Sequence, residues 1–313
     1  MREIAVFSGT AHRGLAAEIC MHLAVPLYPV RVQRFANDCL EVQLQANCRE
    51  RDVFLIQPLV PPVQEGLVEL LLMTDAARGA SAGRVTIVMP HYAYARSDKK
   101  DEPRISIAGR LVADLMVTAG ADRLLTMTLH SPQVHGFFSV PVDHLHALRE
   151  LAAHFRGRNL DNTVVVSPDL GYAKSAAAFA RRLGLPVAAG AKERHSDDRV
   201  TITSIIGEVA GRDVIVLDDE IARGSTLMEL LGRLREQDVR SIRVVCTHGL
   251  FADSALEKLA AQPDVEEIIC TNTVPVPGHK RDPKLTVISV APAMAEAIRR
   301  IHNGESVSSL FDH

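Results

Sequence analysis

Short apolar strand-like runs alternate with helical ones along the whole chain, and this alternation restricts the fold more than any other feature. Strand candidates lie at residues 4–8, 53–57, 84–90, 124–129, 163–167, 187–189, 214–217, 242–247 and 267–271. Between them, apolar residues at helical spacing mark 14–23, 63–78, 107–119, 147–155, 172–183, 225–237 and 254–261. Continuously apolar, β-branched strands separated by helices are the pattern of βαβ units, whose parallel sheets are covered on both faces. A chain of 313 residues exceeds one typical domain, and the pattern divides near residues 142–160. The expected fold is α/β, with two tandem domains, each a mostly parallel sheet flanked by helices. One domain would span 1–145 and take in the tail 296–313; the other would span 146–295. A weak internal likeness, Gly83-Arg84-Val-Thr-Ile-Val-Met89 against Gly211-Arg212-Asp-Val-Ile-Val-Leu217, suits a duplication.

Residues 214–226 read Val-Ile-Val-Leu-Asp-Asp-Glu-Ile-Ala-Arg-Gly-Ser-Thr. Asp218 and Asp219 stand where the strand 214–217 is expected to end. Gly224, Ser225 and Thr226 lead into the helix 225–237. Ligands of open α/β sheets sit beyond the carboxyl ends of the strands, and a helix start offers N–H groups and a positive dipole to phosphate. A carboxylate pair beside a phosphate cradle makes chemical sense when the ligand also carries a vicinal diol, as a sugar phosphate does. Two alternatives stand beside this: an ordinary turn with a Ser/Thr cap and solvated acids, and an acidic pair that binds Mg²⁺.

Composition excludes several classes. The net charge of −3 gives no bulk attraction to nucleic acid, and the absence of Trp, with only four Tyr, removes stacking platforms. The five cysteines, Cys20, Cys39, Cys48, Cys246 and Cys270, contain no Cys-x-x-Cys pair and read as reduced thiols. The first residues lack the order of a signal peptide, and no apolar run is long enough for a membrane span. The reading is a cytoplasmic protein with no nucleic-acid or membrane partner.

Other constellations end strands in the same way. Ser167-Pro168-Asp169 could be a helix cap or a second acidic wall beside Asp218 and Asp219. His130 follows an apolar strand; it is either hydrogen-bonded structure or, with Asp169, a holder of Mg²⁺, which takes few protein ligands. The charged loop 94–104 is either solvated or offers Arg96 to a polyphosphate. Residues 191–199 form a surface hairpin, or a mobile loop whose Lys192 and Arg194 close over a transferring phosphoryl group.

The run from Asp218 to Thr226 resembles the phosphoribosyl-pyrophosphate loop of the phosphoribosyltransferase fold. Together with Phe7-Ser8-Gly9, Arg34-Phe35, residues 49–57, Tyr94-Ala-Arg96, Gly136-Phe137-Phe138, Pro141-Val142-Asp143, Ser167-Pro168-Asp169, Thr247-His248-Gly249 and the tail 296–308, the chain resembles ribose-phosphate pyrophosphokinases nearly end to end. The resemblance implies two phosphoribosyltransferase-like domains and attack of the 1-hydroxyl of ribose 5-phosphate on the β-phosphorus of ATP, with Mg²⁺ as cofactor. It implies Phe35, Asn37, Asp38, Cys39, Arg96 and Ser97 at the nucleotide, with residues 37–39 reaching it from a neighbouring subunit. His130 and Asp169 would bind the metal, and Lys192 and Arg194 would stabilise the group in flight. Asp218 and Asp219 would take the ribose hydroxyls, and Ala222, Arg223, Gly224, Ser225 and Thr226 the 5-phosphate. It also implies a dimer-based hexamer regulated by phosphate and ADP, with Ser306 and Ser308 near the regulatory site. The chain departs from the family pattern at Ala36-Asn37-Asp38-Cys39 (usually Ser-Asp-Gly-Glu), Ser97 (Gln), Thr128 and Ser131 (Asp-Leu-His-Ala), Ser175 (Arg) and Ala222-Arg223-Gly224 (Asp-Thr-Gly). A non-catalytic paralogue and a phosphoribosyltransferase remain as alternatives, and AMP release that requires ribose 5-phosphate separates them from the kinase.

Overall fold

Runs without polar interruption become the buried strands. In Asp52–Ile56 and Thr163–Ser167 every residue is buried, as a strand covered on both faces demands. The computed structural model describes residues 2–194, 200–280 and 282–311. Contacts divide the chain into two units: Met1–His146 with Thr273–Pro275 and Val290–His313, and Ala147–Asn272 with Val276–Ser289.

The first unit contains β1 (Ile4–Ser8), α1 (Arg13–Leu23), β2 (Leu27–Tyr28), β3 (Val30–Arg34), β4 (Leu40–Leu44), β5 (Asp52–Ile56), α2 (Val63–Gly79), β6 (Arg84–Met89), α3 (Ala108–Thr118), β7 (Arg123–Met127) and β8 (Val142–Leu145). Its sheet has the order β2-β1-β5-β6-β7-β8, all parallel, and β3 and β4 form a separate antiparallel hairpin. The second unit contains α4 (Leu148–Ala153), β9 (Thr163–Ser167), α5 (Ala173–Leu183), β10 (Val187–Arg194), β11 (Val200–Ile206), β12 (Asp213–Ile221), α6 (Ser225–Glu236), β13 (Ser241–Gly249), α7 (Ala255–Ala260), β14 (Val265–Thr271) and β15 (Leu285–Ile288). Its order is β11-β10-β9-β12-β13-β14-β15, parallel except for β11. The last helix, α8 (Ala291–Asn303), belongs to the first unit and stops at Gly304, whose φ of +71° is a left-handed conformation that glycine adopts freely.

Leaving β11 aside, the two sheets share one strand order, because β1 corresponds to β9, β2 to β10 and β5 to β12. The matching segments are therefore Arg51-Asp52-Val53 and Arg212-Asp213-Val214, not the pairing of residues 83–89 with 211–217 that the sequence suggested. The shared ion pair supports this register. Asp52 receives Arg84 from the start of β6, and Asp213 receives Arg240 from just before β13. In the first unit the pair has a second task. Arg84 also donates to the Ile301 carbonyl at 2.9 Å, and His302 lies 2.8 Å from Asp52 Oδ2, so α8 is fastened to the sheet.

Strand order reverses between β1 and β5, the place where open α/β sheets form a ligand crevice. Here the first unit's own side chains fill it. Gln57, fully buried, accepts the Ala11 N–H at 3.1 Å. Glu69 of α2, 4% exposed, accepts both the Thr10 N–H and the Thr10 hydroxyl at 2.6 Å. A Cβ on Gly9 would lie 2.4 Å from Gln57 Oε1, so any larger residue there would have to displace the Gln57 amide. Replacing Glu69 with Ala removes both acceptors from Thr10 and should cost about 1–3 kcal/mol in urea denaturation, with Glu69→Gln costing less because one acceptor survives.

Candidate active site

The corresponding crevice of the second unit is built by unequal strand pairing. β12 stays beside β9 only from Asp213↔Thr163 to Val216↔Val166, but follows β13 as far as Ile221↔Gly249. The carboxylates therefore lie within the strand, not beyond it as the sequence suggested, because pairing with β13 continues after β9 has ended. Asp219 is buried and Asp218 half-buried, and Asp218 Oδ1 accepts the Asp219 N–H at 2.9 Å. Asp169 follows β9 directly, and its Oδ1 accepts the Tyr172 N–H at 3.1 Å. Asp169 thus braces the residue before α5 without capping the helix, whose N-cap is Tyr172 with no side-chain cap, and the same carboxylate also acts on Asp218.

Burial pushes the Asp218 carboxyl well above the usual range, and the neighbouring Asp219 and then Asp169 add to the effect. Three acids of the second unit are therefore gathered at one sheet edge. Tyr172, which the sequence reading did not single out, belongs to this group. Burial raises its phenol, Asp219 and Asp218 raise it further, and its hydroxyl bonds to Ser175. The available signal was an aromatic residue three positions after Asp169, where the helix α5 begins. Cys246, opposite Asp218 in the ladder, is likewise raised by burial and stays a neutral thiol.

The loop after β12 is held from outside by Phe251 N–H to Ile221 O at 3.0 Å and Ala252 N–H to Ala222 O at 2.9 Å. The Ser/Thr cap considered for this turn is not what forms. The residue capping α6 is Gly224, at φ +73°, which has no side chain to bond the first-turn N–H groups of Ser225 and Thr226. Arg223 extends outward, with Nε 3.6 Å from Asp253 Oδ2.

The other candidates fall in separate surroundings. Phe35, Asn37, Asp38 and Cys39 share the tip of the β3–β4 hairpin, closed by Phe35 N–H to Cys39 O and Asp38 N–H to Phe35 O, both 2.9 Å. Arg96 is exposed at the end of a 3-10 turn. The Ser97 hydroxyl donates to Ser106 O at 3.1 Å and accepts the Ala108 N–H at 3.0 Å, which makes it a pin for the start of α3. His130 is exposed in the loop after β7, and its neighbour Ser131 donates to Asp98 at 2.6 Å. Lys192 and Arg194 lie on β10, opposite Ile202 and Val200, past a bulge at Ala191/Lys192. Their backbone belongs to β10; their side chains and residues 195–199, the rest of the stretch read above as a hairpin or a mobile loop, lie outside the described residues. In the tail, Ser308 N–H donates to Ser306 Oγ at 3.2 Å. Among the described residues no three His, Cys, Asp or Glu side chains form a metal cage, and no helix is long and apolar enough to cross a membrane.

The chain matches family models at two places: the N-terminal domain of ribose phosphate pyrophosphokinase over residues 4–120, and the phosphoribosyl synthetase-associated domain over residues 193–312. A Streptomyces coelicolor relative is 75% identical over 312 residues, covering 100% of this chain and 98% of the relative. A ribose-phosphate pyrophosphokinase of Deinococcus radiodurans is 51% identical, with 98% of this chain and 97% of that protein covered. The crystal structure of phosphoribosylpyrophosphate synthetase from Mycobacterium smegmatis superposes with a TM-score of 0.91 at 37% identity, covering 97% of this chain and 100% of the other.

The acid cluster carries a cost for the fold. Asp218 has its folded pKa above the unfolded value. Its ionisation therefore favours the unfolded chain as pH rises above the unfolded pKa, and the cost disappears below it. Asp218→Asn should raise the melting temperature at neutral pH, by roughly 2–4 °C for each kcal/mol relieved, and leave it nearly unchanged in acid. Calorimetric scans at both pH values check this.

Proposed function

The chain belongs to the ribose-phosphate pyrophosphokinase family, and we propose that it transfers the pyrophosphoryl group of ATP to the 1-hydroxyl of ribose 5-phosphate, giving phosphoribosyl pyrophosphate and AMP. The observation that carries this reading is the carboxyl edge of the second unit's sheet, where Asp218 and Asp219 adjoin a loop whose helix start has no side-chain cap. Carboxylates accept hydrogen bonds from the ribose diol, and the N–H groups of Gly224, Ser225 and Thr226, with Ala222 and Arg223 beside them, take the 5-phosphate. Held at both ends, the sugar presents its 1-hydroxyl in a fixed direction, and such positioning is a large part of phosphoryl-transfer catalysis.

Lys192 and Arg194 are assigned to the negative charge that develops on the pyrophosphoryl group between ATP and the sugar. Phe35, Asn37, Asp38, Cys39, Arg96 and Ser97 are assigned to the nucleotide, the hairpin tip serving a neighbouring subunit of a dimer-based hexamer. Mg²⁺ is the proposed cofactor, with His130 and Asp169 as its protein ligands. The residues fit this ion: the acids gathered at Asp218 favour a nearby cation, and Mg²⁺ uses one or two protein ligands and substrate phosphates rather than a cage. When bound, the ion would neutralise charge on the phosphate oxygens. A cytoplasmic location follows from the same reading.

The deciding assay is AMP release from ATP by the purified protein, expected only when ribose 5-phosphate is present; no release would favour the non-catalytic paralogue. Asp219→Ala should weaken ribose 5-phosphate use far more than ATP use, because charge-assisted hydrogen bonds to the diol are worth about 1.5–3 kcal/mol each. Steady-state kinetics with both substrates varied would show this, and an effect confined to ATP overturns the assignment. Lys192→Ala should lower turnover by orders of magnitude with nucleotide affinity nearly intact, since the charge it meets exists mainly in the transition state. Collapse of nucleotide affinity at unchanged turnover would make Lys192 a binding residue instead.

A further inference from the structure

Arg223 and Asp253 face each other across two loops that the backbone holds side by side. The bonds from Phe251 and Ala252 to Ile221 and Ala222 fix the spacing, and Lys280 Nζ donates to the Phe251 carbonyl at 2.5 Å from the far side. Asp253 follows at φ +54°, a left-handed conformation in which Gly, Asn and Asp are the common occupants. Its carboxylate is thereby directed to within 3.6 Å of Arg223 Nε, and both side chains are more than two-thirds exposed. That distance gives attraction without a good hydrogen bond, and exposed pairs of this kind hold a fold together by about 0–1 kcal/mol at most. The fold itself has little use for the pair.

The loop carrying Arg223 has a use for it. A guanidinium beside the 5-phosphate strengthens binding of the substrate and equally of the product, which retains the same 5-phosphate. Binding both alike does not speed the chemical step and slows release. We propose that Asp253 is a positioning residue that holds Arg223 partly away from the incoming 5-phosphate and so sets the affinity for phosphorylated sugars. This rests on the assignment of residues 222–226 to the 5-phosphate. The phosphate must compete with a carboxylate for the guanidinium, and Asp253 acts through Arg223 rather than by touching the sugar.

Asp253→Asn removes the charge while keeping a residue that tolerates the left-handed backbone, and Asp253→Gly does the same with no side chain. Titration calorimetry of ribose 5-phosphate into wild type and both variants should show binding about two- to fivefold tighter in the variants. The gain should shrink at high salt, where attraction between the guanidinium and the phosphate is screened. The Michaelis constant for ribose 5-phosphate should fall in step, without a rise in turnover. Arg223→Thr should weaken binding, and adding Asp253→Asn to it should change little. Unchanged affinity in both Asp253 variants, or an equal gain with and without Arg223, overturns the proposal while leaving the sugar-phosphate site intact. Absence of ribose 5-phosphate binding by wild type overturns the site and this role together.

Discussion

β12 has two neighbours of different length, and the rest of the second unit's chemistry depends on that difference. Hydrogen bonding to β9 ends at Val216, while hydrogen bonding to β13 continues to Ile221. One edge of the strand thus leaves the sheet's cover with its backbone still held straight. Asp218 and Asp219 occupy that stretch, so their positions are set by a ladder rather than by a loop. Asp169 arrives from the end of β9, and only Ala222, Arg223 and Gly224 separate the end of β12 from α6. No separate scaffold is needed to bring acids and helix start together.

The arrangement is electrostatically tense. Burial and neighbouring acids make it hard for Asp218 to ionise, and the same crowding raises Tyr172 and Cys246 nearby. By contrast, the acids that serve the fold are relaxed by partners: Arg240, hydrogen-bonded to Asp213, holds that carboxyl below its usual range. Two aspartates five residues apart on one strand are therefore in opposite electrostatic states, one satisfied by the protein and the other prepared for something from outside it.

The sequence made the buried strands and long helices legible because continuous apolar runs and helical spacing are strong signals. It hid β3 and β4, whose Val-Arg-Val-Gln-Arg and Leu-Glu-Val-Gln-Leu alternate polar and apolar residues on a half-exposed hairpin. β2, β8 and β15 are too short to carry a pattern of their own. β10 continues through Lys192, Glu193 and Arg194 because β11 supplies an antiparallel partner, which no local rule reveals in so charged a stretch. Asp218, Asp219 and Asp169 were legible as acids near the carboxyl edge of a sheet, although β12 runs on past the end expected for it. Tyr172 and Asp253 were not, because their roles come from burial and from backbone conformation rather than from residue type.

The filled crevice of the first unit shows what two units of one strand order permit. Glu69 supplies from within the protein an anion held by a backbone N–H and a hydroxyl, so the backbone around Thr10 keeps its shape without depending on any visitor. A half that no longer needs its own guest is released from the selection such a guest imposes. Its loops can change to suit another molecule while the inherited framework stays rigid. A chain built of two like units can in this way become a chain of two trades.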